Sequence, residues 1–307
     1  MTTPTPHLPI PDVGRIGLWT SGLDFLPVAG LRETVAELDA LGYGALWWGE
    51  TVGREAFTQA MLILEAAPRI VAATGIANVW ARDAMAANAA VRTVAEAHPG
   101  RFLPGLGISH GPLVEGLRPG ARVYEKPLTH MREYLDAMDA SLYFAAGSDT
   151  PRPARVLAAL GPRMLELSRD RAEGAHTYLV TPEHTAEARA TLGADRLLAV
   201  EQAVVLTTDR ETALRRGREH VKVYLGLPNY RNNWLRLGLT EDDFADGGSE
   251  RLIDRLVVWG DEAAIRAGVD AQVTAGADHV CVQVLGESLV DAPLEDWRVL
   301  APALLST

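Results

Sequence analysis

The chain is 307 residues long, with 29 Lys and Arg against 40 Asp and Glu and a formal net charge of −11. That acid excess opposes a polyanion, so nucleic acid is not an expected partner. One cysteine cannot close an intrachain disulfide, no apolar run is long enough to span a bilayer, and the Thr- and Pro-rich tail Met1–Val13 lacks a basic segment followed by an apolar core.

A cytoplasmic, membrane-free protein is therefore expected. Eight short apolar runs punctuate the chain: Arg15–Trp19, Gly44–Gly49, Ala72–Val79, Phe102–Ile108, Arg155–Leu160, Gly174–Val180, Leu198–Leu206 and Asp278–Leu285. Mostly unbroken, they predict parallel strands buried on both faces. Between the first two, Leu31, Val35, Leu38 and Leu41 recur every three or four residues while Arg32, Glu33 and Glu37 face water, the pattern of a helix laid on a sheet. The same spacing predicts helices over Glu55–Ala67, Ala84–His98, Met131–Phe144, Glu211–Leu225 and Asp261–Thr274. A doubly wound open sheet uses this alternation too, but eight units favour closure into one α/β domain, a (β/α)8 TIM barrel with inserted loops and helices.

Three interruptions follow in chain order. His110–Pro127, with Gly111, Pro112, Gly116, Pro119 and Gly120, reads as a long loop on the active-site side. Ala145–Pro153 is a connector through Gly147 and Ser148. Residues 227–250 form an insertion whose Tyr230, Trp234 and Phe244 either cover a ligand or pack as a satellite. Cys281, inside an apolar run, reads as a small core hydrophobe. Arg82, Arg163, Arg169 and Arg171 read mostly as surface charges.

Chemically suggestive residues gather where the strands end, as a barrel active site requires. Strand two delivers Glu50 beside Trp47 and Trp48. A carboxyl in an apolar mouth can exchange a proton near neutrality, and it can equally serve as a fixed acceptor at a helix start. Strand three offers the Asn78 amide and the Trp80 wall, with Asp83 to cap the next helix. Strand four ends Gly105-Leu106-Gly107-Ile108-Ser109-His110, a hydroxyl and an imidazole after glycines that admit close approach. Strand five ends Ala158-Ala159-Leu160-Gly161-Pro162, where backbone N–H groups at a helix start suit a phosphate. The eight histidines are scattered and no metal spacing occurs, so no metal is expected. Gly107-Ile108-Ser109-His110-Gly111 carries the letters of a serine-hydrolase elbow, but Pro112 and a loop follow where a helix should begin.

Taken together, Gly14-Arg15-Ile16-Gly17-Leu18-Trp19, Leu41-Gly42-Tyr43-Gly44, Thr74-Gly75-Ile76-Ala77-Asn78-Val79-Trp80-Ala81-Arg82-Asp83, His98-Pro99-Gly100-Arg101-Phe102, Gly105–His110, Ala158–Pro162 and Gly276-Ala277-Asp278-His279-Val280 resemble the luciferase-like monooxygenase superfamily, within it the branch that uses the deazaflavin coenzyme F420. The resemblance implies an oxidoreductase that transfers a hydride between F420 and a small organic substrate, with the ring across the barrel mouth. It implies a non-prolyl cis peptide at Asn78–Val79 that presses a backbone bulge on the ring, and a cofactor phosphate near Ser109-His110 and Ala159-Leu160-Gly161. Trp19 and Trp80 would wall the pocket, and Glu50 and His110 would donate protons or orient the cofactor. A homodimer is the assembly it implies. Ser109-His110-Gly111-Pro112 replaces the acidic residue often found in alcohol- or sugar-phosphate-oxidising relatives, which leaves the acid/base assignment open. An FMN-dependent monooxygenase of the same superfamily is the alternative, and a non-enzymatic ligand-binding barrel a third reading.

Overall fold

The computed structural model describes residues 7–117, 123–146, 149–288 and 290–306. Pro119 and Gly120 of the long loop, Gly147 and Ser148 of the connector, and the first six residues of the N-terminal tail lie outside the described residues.

The strands are β1 (Ile16–Trp19), β2 (Ala45–Trp48), β3 (Val71–Thr74), β4 (Ala77–Asn78), β5 (Phe102–Leu103), β6 (Gly105–Gly107), β7 (Val156–Ala158), β8 (Gly174–Thr177), β9 (Leu197–Leu206), β10 (Val257–Gly260) and β11 (His279–Val284). Every pairing is parallel. The path runs β9-β11-β1-β2-β3 on one side and β9-β8-β7-β6-β4 on the other. β3 pairs with β5 and β4 with β6, so the two halves of the third strand meet the two halves of the fourth and close a ring of eight positions. The expected runs Ala72–Val79 and Phe102–Ile108 are thus each interrupted. Pro104, which has no N–H for the ladder, breaks the fourth strand. The Thr74 hydroxyl bridges the gap, donating to the Gly105 carbonyl and accepting from the Gly105 amide, each at 2.8 Å.

β10 was not legible in the sequence. It pairs with Ala203–Leu206, beyond the part of β9 that pairs with β8. The insertion becomes a helix, Pro228–Arg236, and a set of tight turns over Glu241–Gly247. Its packing as a satellite is seen, and one of its aromatics lies at a cavity. Tyr230 reaches the mouth, while Trp234 and Phe244 are buried with Leu179, Val205 and Ile253.

Helices surround the ring. On Val28–Leu41 the expected stripe Leu31, Val35 and Leu38 is fully buried. The helix expected over Met131–Phe144 occupies Pro127–Asp139 instead, and Phe144 stands 86% exposed beyond its end. Among the described residues, no helix is long and apolar enough to cross a membrane. Inside the ring Trp47 donates its indole N–H to His279 Nε2 at 3.0 Å, and His279 Nδ1 lies 2.8 Å from the Gly14 carbonyl. The two bonds fix the neutral tautomer of His279, which burial already pushes down to about 4. His176 stacks on the other side of Trp47 at 4.8 Å, and Cys281 is fully buried beside them, as its apolar surroundings imply.

A Cβ at position 105 would stand 2.0 Å from the Thr74 carbonyl oxygen, a backbone atom that cannot move without parting the two broken strands. Gly105→Ala is expected to cost about 2–3 kcal/mol or more, measured by urea unfolding against the parent chain.

Candidate active site

The strand ends converge on a cavity of about 290 Å³ at the C-terminal mouth of the barrel. Trp19, Glu50, Ser109, His110, Ala159, Leu160 and Gly161 line it, so elements up to 142 positions apart in the chain share one wall. Asn78, Val79 and Trp80 are not in that wall, which corrects the expected placement. The floor at the third strand is Gly75–Ile76, and the non-prolyl cis bond is Gly75–Ile76 rather than Asn78–Val79. The reason is the break in the strand: β3 ends at Thr74, and Asn78 and Val79 already belong to the renewed ladder with Gly107. The Asn78 side chain turns back on its own backbone, accepting from the Trp80 amide at 3.0 Å. Trp80 stands behind the wall, donating to the Ile108 carbonyl at 3.0 Å and stacking on His130 at 3.8 Å.

Glu50 holds this floor from both sides. Its amide donates to the Ile76 carbonyl at 2.9 Å, and its carboxylate accepts from the Asn78 amide at 2.8 Å. The other carboxylate oxygen pairs with Arg82, which also reaches Glu55 at 2.7 Å. Arg82 is therefore a shielded ion-pair partner, its side chain 12% exposed, and not the surface charge expected of it. Gly75 is required by space, since a Cβ there would stand 2.8 Å from Trp19 Nε1 and 2.9 Å from His176 Nε2.

Across the cavity Ser109 adopts φ 58°, and its carbonyl accepts from the Tyr124 hydroxyl at 3.0 Å. His110 follows, against Tyr230 at 5.7 Å between ring centroids. Burial pushes its imidazole down to about 4, so it is neutral at physiological pH, and its Nδ1 is buried without a hydrogen-bond partner. Gly161 precedes the helix Pro162–Arg171 with no side-chain cap, and a Cβ built on it meets open space.

Several polar groups here were missed by reading the sequence for strand ends alone. His176 on β8 and Tyr178 just past its end follow Gly174 at a period of two and line the cavity; that period was the available signal. Tyr178 donates to Gln283 Oε1 at 2.8 Å and accepts from the Tyr224 hydroxyl at 3.1 Å, with His220 Nε2 at 3.5 Å. Burial holds Tyr178 well above an ordinary phenol, raises Tyr224 to about 12 and lowers His220 to about 4. Trp19, Tyr178 and Tyr224 also line a second, more polar cavity of about 610 Å³, which carries Arg215, Arg216, Gln283 and Glu287. Beneath the tyrosines Glu201 is fully buried on β9. One oxygen accepts from the Leu179 amide at 2.8 Å, the other has no partner, and burial pushes the carboxyl up to about 8. A glutamate beside Gln202, the one acid in the stretch Leu197–Leu206, was its signal.

The chain belongs to the luciferase-like monooxygenase family, whose model matches residues 13–279. No curated protein matches it in sequence. Solved structures share the fold. An F420-dependent secondary alcohol dehydrogenase in complex with an F420–acetone adduct superposes with a TM-score of 0.73 at 13% identity, covering 94% of this chain and 98% of the other. The coenzyme F420-dependent tetrahydromethanopterin reductase of Methanopyrus kandleri gives 0.68 at 13% identity over 95% and 99%. The oxygenating constituent of the 3,6-diketocamphane monooxygenase of Pseudomonas putida, in complex with FMN, gives 0.65 at 14% identity over 94% and 95%.

Because the folded chain holds the Glu201 proton to about pH 8 while an unfolded glutamate releases it near 4.5, the native state binds the extra proton across that window. Above about pH 7, where unfolded histidines are already neutral, the Glu201 proton is expected to make stability fall as pH rises to about 8, whereas below that the buried histidines, lowered to between about 3 and about 4, make it rise with pH. Glu201→Gln should flatten that decline in urea melts run at successive pH values; an unchanged slope would show that Glu201 does not carry it.

Proposed function

We propose that this member of the luciferase-like monooxygenase family is an F420-dependent oxidoreductase, with the deazaflavin ring over Gly75–Ile76 and a small organic substrate meeting it at the wall of Trp19, Tyr178 and Tyr224. The observation that carries the reading is the floor itself: the backbone turn Gly75–Ile76 lines a largely apolar cavity, with Trp19 and His176 packed so closely on Gly75 that no side chain fits there. A flat heterocycle needs such a surface, and a serine nucleophile does not. Gly161 and the open helix start behind it are placed to receive a phosphate, and the unpartnered Nδ1 of His110 leaves a polar group for a ligand to engage. The resemblance to the F420 branch and the fold shared with two F420 enzymes favour the deazaflavin. The fold shared with the FMN-bound camphane enzyme supports the second reading, an FMN monooxygenase.

When bound, the reduced cofactor supplies a hydride, and the protein's part is orientation and a proton. Glu50 is committed to bracing the floor, so its role is positioning. His110 is uncharged and serves as a hydrogen-bonding group. Tyr178 is the group best placed to move a proton, because its hydroxyl sits in a bonded chain at the wall shared by both cavities. An isolated phenolate would be costly at that depth. Tyr224 therefore replaces the proton as Tyr178 gives it up and draws its own from water in the polar cavity it lines, so no phenolate is left.

Fluorescence titration with oxidised F420 and with FMN tests the cofactor. Selective F420 binding, weakened in Gly161→Asp and retained in Asn78→Ala, is the expected result; preference for FMN would move the case to the monooxygenase, and binding of neither would end it. With reduced F420 and a panel of carbonyl and imine substrates, Tyr178→Phe should lower kcat roughly 100-fold while cofactor affinity stays within about twofold. Parallel loss of affinity and rate would instead make Tyr178 a packing residue.

A further inference from the structure

The second cavity has a chemistry of its own. Arg215 and Arg216, consecutive on the helix Arg210–Val221, both reach one carboxylate, Glu287: Arg215 at 2.7 Å, and Arg216 through its Nη2. Two guanidinium groups thus share one hydrogen-bonding carboxylate, with Asp296 and Asp209 as more distant counter-charges of Arg216 and Arg215. The partners are unequally placed, since the Arg216 side chain is 13% exposed and that of Glu287 64%. Arg216 Nη1 reaches the Leu285 carbonyl at only 3.3 Å, and its Nε is buried with no hydrogen-bond partner. The other acids of the cavity are occupied elsewhere. Glu219 lies 3.6 Å from Lys222, and Asp291 accepts from the Ser288 amide at 2.8 Å.

We infer that this cavity is an anion site, in which Glu287 occupies the position of a ligand carboxylate or phosphate and the substrate of the enzyme is an organic anion held by Arg216 and Arg215. A solvent-facing glutamate loses little on leaving, because an exposed ion pair contributes little. A ligand anion that enters finds a fork of donors with one N–H still unused, the geometry in which Arg binds carboxylate or phosphate in a bidentate manner. The cavity shares Trp19, Tyr178 and Tyr224 with the proposed ring slot, so a molecule anchored at Arg216 extends its uncharged end to the wall where the Tyr178 hydroxyl lies. The substrate class depends on the proposed cofactor reading, while the anion site itself stands without it.

The test uses inorganic phosphate as the probe, titrated calorimetrically into the purified protein at constant ionic strength, with and without saturating F420 or FMN. Glu287→Gln should bind phosphate about fivefold tighter, equivalent to about 1 kcal/mol, and Arg216→Gln should abolish binding with its circular-dichroism melt unchanged. Arg215→Gln should fall between them. Weaker or equal binding by Glu287→Gln, or undiminished binding by a folded Arg216→Gln or Arg215→Gln, overturns the site. Phosphate that binds alongside the cofactor supports a substrate anion; phosphate displaced by the cofactor assigns the site to the cofactor's own tail and overturns the substrate class. If neither cofactor binds while the variants respond as expected, the anion site stands and the cofactor reading fails.

Discussion

The mouth of this barrel depends on one carboxylate. β3 must stop at Thr74 for Gly75–Ile76 to turn into the cavity, and a turned backbone leaves ladder groups unpaired that would otherwise demand water. Glu50 takes them up from the neighbouring strand, binding the Ile76 carbonyl with its amide and the Asn78 amide with its side chain. A buried charge used this way would itself be unfavourable without compensation, which Arg82 supplies. The pair lies on the edge of the cavity and behind it, so the charge balance is completed without placing a net charge on the apolar floor.

Desolvation then decides the character of the rest. His110, His176, His220 and His279 are all pushed down to between about 3 and about 4 by burial, and Glu201 is pushed up to about 8. Five groups that would carry or exchange charge on a surface are neutral here near pH 7. The result is a mouth rich in hydrogen-bonding atoms yet low in fixed charge. Charged side chains gather past the tyrosine wall, where Arg215 and Arg216 stand with Glu219, Glu287 and Asp291. An uncharged, weakly polar slot beside a charged chamber separates the demands of a flat ring from those of a polar reactant.

The architecture was legible because mostly apolar runs such as Arg155–Leu160 and Asp278–Leu285 and helical stripes such as Leu31, Val35 and Leu38 are set by burial, and burial leaves a trace in the pattern of apolar residues. The interruption at Pro104 was signalled by the proline itself, while the one at Gly75 left no such trace, because the turn is held by a hydrogen bond from the Glu50 amide to Ile76, 26 positions later. The misplaced cis bond has the same origin. Ser109, His110 and Ala159–Gly161 were found because they follow strand ends directly. His176 and Glu201 were not, because they project inward from within strands, where only the period of two separates an inward side chain from an outward one, and Tyr178, just past β8, was not, because it lies inside the apolar run expected over Gly174–Val180. Tyr224 and His220 lie on elements that sequence reading treated as outer helix, and their approach to Tyr178 depends on the tertiary path of the segment after β9.

Tyr178 stands where these constraints meet. Its ring separates the two cavities, Trp19 lies 5.2 Å away on one side and Tyr224 5.5 Å on another, and its hydroxyl is bonded to groups facing the polar chamber. A hydroxyl that already accepts from Tyr224 and donates to Gln283 has one lone pair left, which a ligand donor can use, and it can donate to a ligand only by giving up Gln283. Occupancy of the chamber and the hydrogen bonding available to the slot are therefore the same variable. In the proposed reaction, a substrate that drew Gln283 away would free the Tyr178 proton for the reacting atom, and the bond to Gln283 holds that proton otherwise.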